Sequence, residues 1–191
     1  MTAPDSGAQV GGPDRPVAVL IGFMGAGKST VGKVLADRLG VDFIDTDTEI
    51  EHRVGQTIPE IFTGSGPTRF REIERDVVLD ILENHRGIVA LGGGAVTTPA
   101  VADALAGHRV IHLRVGAESG FARVSGSDRP LLASADPAAR YRELLEQRAD
   151  TYAGVATIEV DAAAGDPEQV ADEIVTAIAH ELRELVPERT S

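Results

Sequence analysis

Residues 17–30 read VAVLIGFMGAGKST, and the fold follows from this stretch. Val17 to Ile21 is an unbroken apolar run ended by a glycine, the pattern of a strand covered on both faces. The next eight residues, Gly22 to Ser29, match G-x-x-x-x-G-K-[ST] in full. Glycines in such a turn let backbone N–H groups point inward around an anion, and the helix that follows presents its positive dipole end. Lys28 brings a charge to the terminal phosphates of a nucleotide, and the Ser29 hydroxyl suits magnesium. Val31, Val34, Leu35 and Leu39 then fall at helical spacing, and Gly40 is a C-terminal stop. A phosphate-binding pattern between a strand and a helix reads as a nucleotide loop. One of the chain's two lysines stands at its key position.

Outward from this loop, short apolar runs alternate with helical patterns. Val41 to Asp45 reads as a second strand, Gly87 to Leu91 as a third, Arg109 to Val115 as a fourth and Ala156 to Val160 as a fifth. Thr57 and Glu60 form a capping-box pattern opening a short helix near Ile61 and Phe62. Phe70, Ile73, Val77, Val78 and Ile81 mark a longer helix. Thr98-Pro99, Asp136-Pro137 and Asp166-Pro167 each place a cap before a helix-starting proline. This alternation predicts an α/β fold, with a five-stranded parallel sheet flanked by helices in three layers. Residues 1–16, poor in large apolar side chains, read as a disordered tail, 17–186 as a single domain, and 187–191 as a second tail.

The composition narrows the function. The 191 residues suit one domain. There are no cysteines, so thiol nucleophiles, zinc ribbons and iron–sulfur ligation are excluded. A formal net charge of −12 opposes general binding to nucleic acid or anionic membrane. No apolar run approaches the length of a membrane span, and the N-terminus lacks a secretory pattern. A cytoplasmic, monomeric enzyme is the expectation.

Several further residues are candidates. Asp45-Thr46-Asp47 closes the second strand, where ligands gather in open α/β sheets. If extended, the two carboxylates share a side, one for magnesium and one for substrate hydroxyls; equally, they read as a capping pair for a helix starting near Thr48. Arg71 and Arg148 would together suit a carboxylate-bearing substrate, although arginine is also this chain's usual surface base. Gly92-Gly93-Gly94 reads either as a close backbone approach to a ligand or as a tight turn. Ser125 to Leu132, carrying Arg129, reads as a mobile flap or as a plain surface loop. His108 and His112 lie on a strand pattern and would not converge on a metal, so no histidine is assigned to catalysis.

Together these pieces resemble the shikimate kinase family of small P-loop enzymes. The resemblance rests on GFMGAGKST at 22–30, DTD at 45–47, FREIE at 70–74, LGGGAV at 91–96, RPLL at 129–132 and YRELLEQRADTY at 141–152. It implies a fold like the nucleoside monophosphate kinases, with substrate-binding helices over about 47–75 and a lid over about 124–135. It also implies ATP-dependent phosphorylation of the 3-hydroxyl of shikimate, in aromatic amino-acid biosynthesis. Lys28 and the backbone of Gly25, Ala26, Gly27, Ser29 and Thr30 would then hold the ATP phosphates. Ser29 would ligate Mg2+ with Asp45 in support. Asp47 would bind the shikimate hydroxyls and orient the attacking one, Arg71 and Arg148 would grip the carboxylate, and Gly93 would contact substrate through its backbone. Arg129 would reach the phosphates from the lid, and Arg123 would pack near the adenine.

Two departures stand out. Pro67 replaces a glutamate usual in the family. Ala163, Ala164 and Gly165 occupy the loop where some members place an arginine beside the adenine. The competing readings are another small P-loop kinase, such as a gluconate or nucleoside monophosphate kinase, and a degenerate nucleotide-binding module.

Overall fold

The computed structural model describes residues 15–126, 130–132, 134–163 and 165–184. Five strands, β1 (Ala18–Ile21), β2 (Phe43–Asp45), β3 (Ile88–Ala90), β4 (Val110–Arg114) and β5 (Ile158–Asp161), form one sheet in the order β2-β3-β1-β4-β5. Every pairing is parallel, with Val19 opposite Val89 on one side of β1 and opposite Val110 on the other.

The central position of β1 accounts for its composition. Val19 and Ile21 enter one buried cluster, with residues of α3 (Ile58–Asn84) and α6 (Pro137–Val155). Ala18 and Leu20 enter the other, with α1 (Lys28–Leu39) and α7 (Pro167–Glu184). Alternate side chains thus bury on opposite faces, and no polar residue is tolerated in the strand. Each fully buried Leu or Ile contributes about 1.5–3 kcal/mol.

The chain moves from β1 outward to β2, returns to β3, and then crosses to β4 on the other side. The loop after β1 therefore lies at the point where the strand order reverses, where a crevice opens beyond the carboxyl ends of the strands.

The capping pattern at Thr57 is present in both directions, with the Thr57 hydroxyl accepting from the Glu60 N–H and the Glu60 carboxylate accepting from the Thr57 N–H. The two helices expected after it lie end to end in α3, broken at Gly66 (φ 80°, ψ 168°), from which Pro67 starts the second half. Two helices were not singled out by periodicity: α2 (Thr46–Val54), considered only as an alternative, and α5 (Ala117–Val124). Both are short. The element α4 (Pro99–Ala104) begins after Thr98, as expected.

Candidate functional site

The nucleotide loop forms as its sequence demands. Gly25 (φ 83°) and Gly27 (φ 85°) lie in the left-handed region, and a Cβ on Gly25 would collide with the Gly120 carbonyl of α5. Both are conformations that glycine adopts without strain. Lys28 leads α1, and its Nζ donates to the carbonyls of Gly22 (2.8 Å) and Phe23 (3.3 Å). The ammonium thus sits across the loop.

The DTD segment differs from the extended pair that was one expectation. The strand ends at Asp45, and Thr46 already begins α2, so Asp47 occupies the first turn of a helix. Asp45 unites the two alternative roles. Its Oδ1 accepts from the N–H groups of Asp47 (3.0 Å) and Thr48 (3.4 Å), capping the helix, while its Oδ2 accepts from the Ser29 hydroxyl. Thr46, fully buried, accepts from the Gly92 N–H at 2.9 Å and so ties the start of α2 to the glycine triplet.

The triplet is a close approach, filled by protein groups. A Cβ on Gly92 would overlap the Asp47 carboxylate, and one on Gly94 would overlap the Arg71 guanidinium. The Gly93 carbonyl accepts from Arg148 (3.0 Å) and from the Tyr152 hydroxyl. Arg71, Asp47 and Arg148 therefore converge on one short loop from three helices. Arg71 is held by Glu74, one helical turn along, through an ion pair to a carboxylate only 1% exposed. Burial pushes the Glu74 carboxyl above its ordinary range and Asp47 adds to this, while Arg71 and Arg148 oppose it.

A cleft of about 590 Å3 joins these parts. Its walls include Lys28, Ser29, Asp45, Asp47, Arg71 and Arg148, with Phe62 and Phe70 (ring centroids 4.6 Å apart) on one side. Gly25, Gly27, Thr30, Gly93 and Arg123 line it as well. A smaller recess of about 200 Å3 lies beyond the loop, between Ala26, Thr30, Arg123, Ala162, Gly165 and Pro167. There Arg123 bridges the loop to the residue after β5, donating to the carbonyls of Gly25 (3.2 Å) and Ala162 (3.0 Å). The expected Arg129, with positions 127, 128 and 133 of the expected lid, lies outside the described residues, as does Ala164. His112 pairs with Glu159 at 3.1 Å and stacks on Tyr152, away from any metal arrangement.

Sequence reasoning missed Glu74, Tyr141 and Tyr152. The Glu74 signal was legible: a carboxylate on the face shared by Phe70, Val77, Val78 and Ile81, three residues from an arginine. The tyrosines gave no such signal, because aromatic residues at helical spacing read as core.

An anion loop at the sheet's switch point, a hydroxyl–carboxylate pair beside it and two arginines across a shared cleft define a small P-loop kinase. The family model described as shikimate kinase matches residues 24–179, and the chain belongs to that family. It is 49% identical over 164 residues to a shikimate kinase of Mycobacterium avium (strain 104), covering 85% of this chain and 93% of that one. The shikimate kinase from Acinetobacter baumannii in complex with shikimate superposes with a TM-score of 0.84 at 34% identity, over 88% of this chain and 96% of that one. A gluconokinase from Sinorhizobium meliloti 1021 is similar at a TM-score of 0.59 and 18% identity, over 90% of this chain and 96% of that one, a likeness of fold alone.

Proposed function

We propose that this chain transfers the γ-phosphoryl group of ATP to the 3-hydroxyl of shikimate, as a shikimate kinase. The observation that carries the reading is the convergence of Asp47, Arg71 and Arg148 on the glycine triplet, in one cleft with Lys28 and Ser29. The two guanidiniums suit the acceptor's carboxylate, and the Asp47 carboxylate suits its hydroxyls. The acceptor oxygen forms a bond to the γ-phosphorus as the bond to the bridging oxygen breaks, and ADP departs. Asp47 orients the attacking hydroxyl and takes its proton. Lys28 and the loop N–H groups neutralise charge on the phosphates, and Gly93 lines the acceptor through its backbone. Arg123 packs beside the adenine recess, and Arg129 is expected to reach the phosphates.

Ser29 and Asp45, hard oxygen donors already in contact, fit a magnesium ion. Bound there, Mg2+ would supply charge neutralisation for the phosphoryl group being transferred. We also infer a cytoplasmic monomer: among the described residues only Leu39 and Leu182 are large hydrophobic side chains left exposed. No described helix is long and apolar enough to cross a membrane.

The test is ADP release from MgATP with shikimate, gluconate or nucleoside monophosphates as acceptor. Turnover with shikimate alone is expected. Turnover with another acceptor would overturn the acceptor pocket, and ATP binding with no turnover on any acceptor would make the chain a binding module.

A further inference from the structure

The chain contains two tyrosines, and both lie on α6, eleven positions apart at 141 and 152. At about 100° per residue, eleven positions bring a helix back to almost the same face, about 16 Å further along the axis. Both rings are fully buried. Burial alone would make them core residues, and for that purpose phenylalanine would serve. The hydroxyls go elsewhere.

The Tyr141 hydroxyl donates to the Met24 carbonyl at 2.6 Å, within the nucleotide loop, while its ring packs edge-on against Phe23 at 4.8 Å. The Tyr152 hydroxyl donates to the Gly93 carbonyl, within the glycine triplet, while its ring stacks on His112 of β4 at 5.0 Å. Arg148, between the two on the same helix, donates to that same Gly93 carbonyl. Burial pushes the Tyr152 phenol up to about 12, so it remains a donor at any working pH. One rigid helix thus carries two fixed donors, one for the loop assigned to the phosphates and one for the loop assigned to the acceptor.

Phosphoryl transfer between two separately bound substrates depends on the separation of their sites. Reacting atoms must approach to about 3–3.5 Å, and a misplacement of about 1 Å can cost about a hundredfold in rate. We propose that Tyr141 and Tyr152 are positioning residues that register the nucleotide loop and the glycine triplet against α6, so that this helix sets the distance between donor and acceptor. The inference rests on the donor and acceptor assignments made above, and it gives each tyrosine a separate substrate.

The test uses the full chain with Tyr141→Phe and Tyr152→Phe, which remove one hydroxyl each and keep the ring. Initial rates are measured over a grid of shikimate and MgATP concentrations. Tyr152→Phe is expected to raise KM for shikimate about 2–12-fold with KM for ATP within twofold, and Tyr141→Phe to do the reverse, the range of one lost hydrogen bond; both should also lower kcat, by up to about a hundredfold for a shift of about 1 Å between the sites. Losing either hydroxyl lowers the melting temperature under any role, so the kinetics decide: a purely structural role would leave kcat unchanged and move both KM values together or neither, and that result overturns the proposal.

A second readout leaves the sequence intact. With 3-fluorotyrosine incorporated, the chain gives two fluorine resonances, assigned from the phenylalanine variants. One should shift with ADP alone and the other with shikimate alone. Joint movement with either ligand, or no movement, overturns the proposal. If the unaltered chain releases no ADP with shikimate, the acceptor assignment falls and the Tyr152 half with it. If it does turn over and the KM values do not separate, this inference falls alone.

Discussion

A methyl group placed on Gly94 should disable the acceptor pocket while leaving the fold in place. Gly94 has φ −115° and ψ −7°, a backbone that alanine adopts without strain. The added Cβ would lie 2.7 Å from Nη1 of Arg71 and 2.8 Å from its Cζ, and nearer still to Nη2. The obstacle is the end of a flexible side chain that is 27% exposed, so the guanidinium withdraws and the backbone stays. Withdrawal would remove the charge-assisted contact proposed between Arg71 and the acceptor carboxylate, worth about 1.5–3 kcal/mol, hence an expected rise in KM for shikimate of about 10–100-fold. KM for ATP should not change, and kcat should change little, because this contact holds ground state and transition state alike. Withdrawal also loosens the ion pair to buried Glu74. That carboxyl is already pushed upward by burial and can take up a proton, which limits the damage. A stability loss of about 1–2 kcal/mol, or roughly 2–8 °C, is expected for Gly94→Ala. Steady-state kinetics in both substrates, with a thermal melt, decide the matter. An unchanged KM for shikimate would refute the role given to Arg71, and a collapsed melt would refute the claim that the clash is resolved by the side chain.

Further tests separate roles that share a residue. Asp45→Asn retains a good N-cap and should leave the melting temperature within about 2 °C, since asparagine caps as well as aspartate. It should nevertheless raise the Mg2+ concentration needed for half-maximal rate, whereas Asp45→Ala should do the same and also cost about 1 kcal/mol in urea unfolding. Glu74→Gln tests the buried carboxyl through pH. An acid whose pKa is raised on folding stabilises the fold below its ordinary value of 4.5, and that contribution is lost as pH rises through the raised value. The glutamine variant lacks this loss. Urea unfolding from pH 4.5 to 8 should therefore show the variant gaining on the parent as pH rises, and a constant difference would exclude the desolvated carboxylate.

How much of this protein was legible in its sequence depends on the range over which each feature is encoded. The nucleotide loop is local: Gly22 to Ser29 specify their own backbone, and a strand before and a helix after are enough to form the anion cradle. The sandwiched strand β1 was legible because burial on both faces leaves no polar position in it. The Thr57–Glu60 box was legible because its two bonds span only three residues. Asp45 and Asp47 were located but their geometry was not, since whether DTD is strand or helix depends on Asp45 finding the Asp47 and Thr48 N–H groups.

The sequence by itself determined an α/β domain that binds a nucleotide and, through its ordered motifs, the residues on which an acceptor pocket would be built. Only the tertiary structure decided that Asp47, Arg71 and Arg148, on α2, α3 and α6, meet at one glycine triplet, and that the hydroxyls of two apparent core tyrosines end on the two loops proposed to hold the substrates. The physical reason is range: turns and caps are set by neighbours a few residues apart, while Tyr152 and Gly93 or Arg148 and Gly93 are brought together only by the packing of helices on a sheet whose strand order no local pattern records.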